Sequence, residues 1–263
     1  MLRVTNLTKS FGGRVVLDRL SLALADGDFV TVVGSNGAGK STLFNAIAGT
    51  FLCDSGRIEL DGRDVTYLPE HRRAREISRV FQDPMKGTAP SLSVAENLAL
   101  AYARGTGRGL LRPAMGKRER ALFRDALAAL GMGLEDRMDA PIGRLSGGQR
   151  QAVTLLMCTI VAPRLLLLDE HTAALDPVSA GKVLEITAEV VARRSITAMM
   201  ITHNLGSALR LGNRTVLLEG GAVALELGGE ERRGMDDRAL LARYREVCRG
   251  GGSDRVVLSA VGK

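Results

Sequence analysis

The string Gly34-Ser35-Asn36-Gly37-Ala38-Gly39-Lys40-Ser41 constrains this chain more than any other feature. It follows an apolar run at 29–33 and leads into small and apolar residues at 40–48, which suit a buried helix with Gly49 as its stop. Strand, glycine-rich turn and helix in that order match GxxxxGK[ST] in its proper context. Phosphate oxygens need several donors at short range. Glycines let backbone N–H groups approach them, and the helix N-terminus adds its positive dipole end. Lys40 is then set to reach the outer phosphates and Ser41 to coordinate a bridging Mg²⁺, with Thr42 following in the first helical turn.

A second feature has the same chemistry. The four leucines at 165–168 read as a buried strand that delivers Asp169 and Glu170 at its carboxyl end, where open α/β sheets place ligands. Asp169 fits a role in the Mg²⁺ shell, and Glu170 fits a base that polarises an attacking water. Two more apolar runs end in polar residues, Val80-Phe81 in Gln82 and 199–202 in His203. Each alone would be an ordinary satisfied polar group; together with the phosphate loop they give strand ends facing one site.

The rest of the chain frames these motifs. Apolar runs at 2–4, 15–17, 20–24 and 29–33, separated by Gly13, Asp18 and the Asp26-Gly27-Asp28 turn, predict a strand-rich opening. The later, almost wholly apolar strands predict a buried parallel sheet, so the fold class is α/β. Residues 92–160 read as a helical insertion with helices at 94–103 and 118–130 and glycine-rich connections at 105–109 and 131–133. The best apolar run, 152–162, is shorter than the roughly 20 residues that cross a bilayer. Cys53, Cys158 and Cys248 show neither a pairing framework nor metal spacing, which suits a reducing, cytoplasmic setting. The net charge of +7 favours phosphate-rich partners or an anionic membrane surface without choosing between them, while 3% aromatics and no Trp argue against repeated base-stacking platforms. The basic stretch at 104–124 reads as a solvated face, or as a contact for lipid headgroups or a partner.

Leu145-Ser146-Gly147-Gly148-Gln149 completes an ordered set with Phe11, the phosphate loop, Gln82, Asp169-Glu170, Ala174-Leu175-Asp176 and His203. That set resembles the ATP-binding subunits of ABC transporters over about residues 1–228. The resemblance implies a P-loop NTPase (RecA-like) core with an antiparallel β subdomain and the helical insertion. It also implies two such subunits clamping two ATP molecules head to tail, either as a homodimer or with a paired cassette. Ser146, Gly147 and Gly148 would then donate to the γ-phosphate held by the partner's loop. Phe11 would stack on adenine with Val16 beside it, although without the family Phe11 reads as core. Gln82 would sense the metal and water, His203 would hold the γ-phosphate, and Asp176 would run along the dimer interface.

The partner implied is an integral-membrane permease, docked around residues 82–97 where Asp83-Pro84 and Pro90 break regular structure, with a solute-binding protein acting indirectly. The subunit would sit in the cytoplasm, peripheral on the inner membrane face. Residues 81–90 and 170–176 further resemble importer ATPases for amino acids of the tryptophan and tyrosine type. His171 stands where the family frequently has Pro, and the helix after the signature lacks an Arg usual further along it. A soluble ABC-type ATPase acting on nucleic acid or ribosomes is the alternative; with one cassette and no zinc spacing, no nucleic acid is expected. Residues 229–249 are expected to form a helical extension, packed on the core or else making a regulatory contact, and 250–263 a flexible tail in which 256–258 could add an edge strand.

Overall fold

The computed structural model describes residues 1–106 and 115–250, with side chains in the last helix described to 246. Arg108, Arg112, residues 107–109 of the expected connection, the side chain of Cys248 and residues 251–263 of the expected tail lie outside the described residues, while Gly250 belongs to the last helix. The chain forms two compact units, Met1–Ala74 together with the chain from Thr197 onward, and Arg75–Ile196.

The first unit opens with β1 (Leu2–Phe11), β2 (Arg14–Leu24), β3 (Phe29–Gly34), α1 (Lys40–Ala48), β4 (Ser55–Leu60), β5 (Arg63–Asp64) and α2 (Glu70–Arg73). An antiparallel sheet runs in the order β2-β1-β4-β5, as the resemblance implied. The two opening strands are longer than the apolar runs suggested. Asp18 does not interrupt β2, because the ladder shifts register between the pairs Leu7–Leu20 and Lys9–Leu17, and Arg19 takes up the extra length at φ 45°.

The second unit holds β6 (Ile77–Val80), α3 (Val94–Thr106), α4 (Lys117–Ala128), α5 (Gly147–Thr159), β7 (Leu165–Asp169) and α6 (Pro177–Arg193). β6 and β7 pair in parallel, and all four leucines of β7 are fully buried. Phe123 and Leu127 of α4 are buried, with the Phe123 ring edge-on to Tyr102 of α3 at 5.8 Å. Residues 82–97 differ from expectation in two respects. Asp83-Pro84 starts a regular 3-10 turn, Pro84–Gly87, in which the Asp83 side chain accepts from the Met85 N–H at 2.9 Å. Asn97 is buried, and its side chain clamps the loop by accepting from Ala89 N and donating to the carbonyls of Ala89, Leu92 and Ser93.

The chain then returns to the first unit with β8 (Thr197–Ile201), α7 (Leu205–Arg210), β9 (Arg214–Glu219), β10 (Ala222–Gly228), α8 (Gly229–Arg232) and α9 (Asp237–Gly250). β3 lies between β8 and β9, parallel to both, and β10 pairs antiparallel with β9. β3 and β8 are buried along their whole length, which is why they read as continuous apolar runs rather than alternating ones. The one hydroxyl inside β3 is satisfied: Thr31 Oγ1 lies 2.9 Å from Thr215 Oγ1 and 3.1 Å from the Ala208 carbonyl oxygen. Leu240 and Tyr244 of α9 pack into a cluster with Val33, Leu205, Ala208, Leu217 and Leu227, so α9 joins the core of this unit.

Candidate functional site

In the first unit β3 runs directly into the glycine turn. Gly34 has φ 156°, and a Cβ there would lie 2.2 Å from the Leu218 carbonyl oxygen on β9. Gly39, the residue before α1, has φ 96°, and its Cβ would meet Leu17 and the Val16 carbonyl at 2.9 Å. No side chain fits at either point, so the backbone can turn its N–H groups inward around a space that phosphate oxygens would fill. Asn36 is exposed, Thr42 half-buried, and Ala38 buried. Lys40 is almost wholly buried, and its ammonium folds over the turn to donate to the carbonyls of Gly34 (2.8 Å) and Ser35 (2.9 Å). Ser35 Oγ donates to Glu219 at 2.9 Å, and the Tyr244 hydroxyl of α9 donates to the same carboxylate at 3.4 Å.

Two other expected residues sit in this unit. His203 follows β8, and the neighbouring Thr202 N–H donates to Val32 of β3 at 3.2 Å, so His203 and the glycine turn leave the same edge of one parallel sheet. Asn204 then starts α7, its side chain accepting from Ser207 N at 2.8 Å. Phe11 is 47% exposed rather than a core residue, edge-on to Phe51 at 5.3 Å, with the Lys9 ammonium 5.3 Å from its ring centre. Val16 is half-buried.

In the second unit Asp169 and Glu170 end β7, and exposed Gln82 leaves the same edge just beyond its parallel neighbour β6. The Arg79 guanidinium of β6 donates to Asp169 Oδ2 at 2.5 Å and lies 4.8 Å from the Phe81 ring centre. Both members of that pair are mostly buried. Glu170 stands in the left-handed region at φ 46°, a strained setting for a residue with a Cβ. His171 is buried, with Nε2 3.1 Å from Thr187 Oγ1 on α6, and burial pulls its pKa down to about 4. Asp176 caps α6 by accepting from Ser179 N at 3.0 Å, and hydrogen bonding from the Ser179 side chain, with that backbone bond, holds its carboxyl below the usual range. Pro177 follows as the first residue of the helix.

The signature residues form the start of α5. Ser146 is the N-cap, its Oγ accepting from Gln149 N, while the Gln149 side chain accepts from Ser146 N, both at 3.3 Å. Ser146 and Gly147 are exposed and Gly148 is buried. The first N–H groups of a helix have no intrahelical partner, and Gly147 and Gly148 hold those positions at the start of α5. A Cβ on Gly148 would lie 2.9 Å from that of Ser179, which seats α5 against the start of α6. Leu145 and Gln149 serve this end from inside: Leu145 is buried, and Gln149 Oε1 also accepts from Arg137 Nη1 at 3.2 Å. Gln151 Nε2 donates to the Phe81 carbonyl at 3.2 Å, tying α5 to the residue before Gln82.

Sequence reasoning missed Arg79, Thr187 and Glu219. Arg79 left one signal, a lone guanidinium inside an apolar strand; the other two left none. Ser41 in the first unit and Gln82 and Asp169 in the second each carry a side-chain oxygen of the hard kind that Mg²⁺ takes.

Among the described residues no helix is long and apolar enough to cross a membrane. The profile of the ABC transporter family matches residues 17–173. A tyrosine transport ATP-binding protein of Clostridioides difficile is 40% identical over 249 residues, covering 93% of this chain and 98% of its own. An aliphatic sulfonates import ATP-binding protein of Cupriavidus pinatubonensis is 37% identical over 245 residues, covering 93% of this chain and 71% of its own. Among solved structures, the dimeric post-hydrolysis state of the ATP-binding cassette MJ0796, bound to ADP and Pi, is similar with a TM-score of 0.73 at 26% identity, covering 89% of this chain and all of that one. The chain thus belongs to the ABC transporter ATPases, P-loop NTP hydrolases whose splitting of ATP powers transport.

Proposed function

We propose that this chain is the ATP-hydrolysing subunit of an importer that takes up a small solute, an amino acid of the aromatic type, through a separate membrane permease. The observation that carries the reading is 40% identity to a tyrosine transport ATP-binding protein across nearly the whole of both chains. The likeness to a sulfonate import subunit supports import more broadly. In this reading residues 1–228 are the ATP-binding domain, with a helical subdomain at about 92–160, a helical extension at 229–249 and a tail at 250–263. The subunit lies on the inner face of the membrane. The permease docks on the exposed part of the 82–97 segment, Gln82, Met85 and Lys86 among it, and a solute-binding protein acts indirectly.

Two chains, identical or paired, close head to tail on two ATP molecules. Residues 34–42 of one chain hold the phosphates, with Lys40 leaving the Gly34 and Ser35 carbonyls for the β- and γ-phosphate oxygens. Ser146, Gly147 and Gly148 of the other chain, braced by Leu145 and Gln149, donate to the γ-phosphate. Phe11 and Val16 hold the adenine. Mg²⁺, when bound, offsets phosphate charge, and Ser41, Gln82 and Asp169 supply its oxygen ligands. Glu170 accepts the proton of the attacking water, His203 holds the γ-phosphate, and Asp176 couples the two sites across the interface.

Glu170→Gln tests the reading. It removes the base and leaves the phosphate turn whole, so turnover should fall about 100-fold or more. ATP should still bind, and the chain should run as a closed dimer in size-exclusion chromatography. Near-normal turnover would reject the assigned base, and a monomer with ATP bound would reject the head-to-tail closure.

A further inference from the structure

Glu170 sits in a backbone conformation that its own side chain disfavours, at φ 46°. Such a residue keeps that shape only when its surroundings over-determine it. The next residue is His171, whose imidazole is buried and reaches Thr187 Oγ1, in the middle of α6, at 3.1 Å. Thr187 is itself fully buried. Its single hydroxyl proton is already committed, because Oγ1 donates to the Val183 carbonyl at 2.7 Å. The contact with His171 is therefore a bond in which the imidazole Nε2–H donates and Thr187 accepts, and this fixes the tautomer. The rest of the turn is closed by Ala173 N donating to the Glu170 carbonyl (2.9 Å) and Leu175 N to that of Thr172 (3.2 Å), ending at the Asp176 cap. The His171–Thr187 bond joins the turn's first residues to the body of α6.

We propose that His171 and Thr187 are a positioning pair for Glu170: the Nε2–H···Oγ1 bond holds the left-handed turn that aims the carboxylate. The proposal rests on Glu170 being the base.

The test uses the full chain with Thr187→Val, which keeps the buried volume and removes the acceptor, and Thr187→Ser, which keeps the hydroxyl. Thr187→Val should lower kcat about tenfold and leave KM for ATP within about twofold, because Glu170 acts in the chemical step and not in binding. Thr187→Ser should return kcat to within about twofold of the unsubstituted chain. In a Glu170→Gln background Thr187→Val should cost nothing more, since the pair acts only through the residue already removed. An unchanged kcat in Thr187→Val would overturn the proposal. So would kcat and KM worsening together without recovery in Ser, or a further loss in the Gln background. Nitrogen-15 NMR of the histidines gives a reading independent of turnover: His171 should carry its proton on Nε2, and a proton on Nδ1 would overturn the bond. An unsubstituted chain that splits no ATP would instead defeat the function on which the pair depends.

Discussion

The turn that leaves β3 and the turn that leaves β7 both aim polar groups off the end of a buried parallel strand, but they are held by different means. Around residues 34–42 the backbone itself decides. Gly34 approaches Leu218 too closely for any Cβ, Gly39 does the same against Val16, and both have positive φ. Around residues 169–176 side chains decide: the Arg79 guanidinium on Asp169, the Thr187 hydroxyl on His171, and the Asp176 carboxylate on the Ser179 N–H. A backbone-built turn tolerates few residues at few positions and so leaves a recognisable string. A side-chain-built turn is held by partners far away in the chain, Arg79 and Thr187 here, and leaves no such string.

The largest effect should come from breaking the backbone-built side. Gly34→Ala puts a methyl 2.2 Å from a backbone oxygen at φ 156°, so β3, β9 or the turn must move. We expect a loss of about 3 kcal/mol or more of stability and loss of ATP binding. Thermal melting and nucleotide titration read both. A Gly34→Ala chain that melts and binds like the original would mean that the close approach to Leu218 does not define the turn.

On the side-chain-built side the matching break is Arg79→Met, which keeps the stem's bulk and strands the Asp169 carboxylate in a largely buried setting. Removing one partner of a buried pair costs about 3–5 kcal/mol when burial is complete, and about 2–3 kcal/mol is expected here because both groups keep some exposure. Arg79→Lys should recover only part of it, since a lysine cannot both reach Asp169 and lay a flat cation against Phe81. Equal stability of the Lys and original chains would show that charge alone matters.

The same contrast explains what could be read in advance. The glycine turn, α1 with its Gly49 stop, the leucine strand and the signature at the start of α5 were legible because each depends on residues adjacent in sequence. Arg79 and Asp169 are 90 positions apart, Gln151 and Phe81 are 70 apart, and no local pattern links such pairs. The strand passing through Asp18 was misread for a related reason: a bulge in the ladder, not the residue's propensity, carries β2 across it. The basic excess was also only half legible. Read as surface charge for a partner, part of it is spent inside. Arg73, buried, donates to the carbonyls of Ala46 and Ile47 at the end of α1 and to those of Thr66 and Leu68. Arg232 does the same for Ala208, Leu209 and Leu211 at the end of α7. Guanidinium groups at helix C-termini satisfy the last carbonyls and face the negative end of the dipole. A count of charges cannot distinguish these from solvated ones.

The smallest effect should come from Ser146, which lies between the two designs. Its string is local and legible, yet its geometry is a side-chain cap, with Oγ 3.3 Å from Gln149 N and the Gln149 side chain returning to Ser146 N. Ser146→Ala removes one of the two bonds, and at that length the loss should sit at the lower end of the capping range, about 0.5–1 kcal/mol. The melting temperature without nucleotide should fall slightly. If Ser146 also donates to the phosphate of a partner chain, the ATP-driven dimer should weaken by more than this stability loss accounts for. A dimer weakened only in proportion to the lost cap would reduce Ser146 to a helix start, leaving the N–H groups of Gly147 and Gly148 as the anion contact.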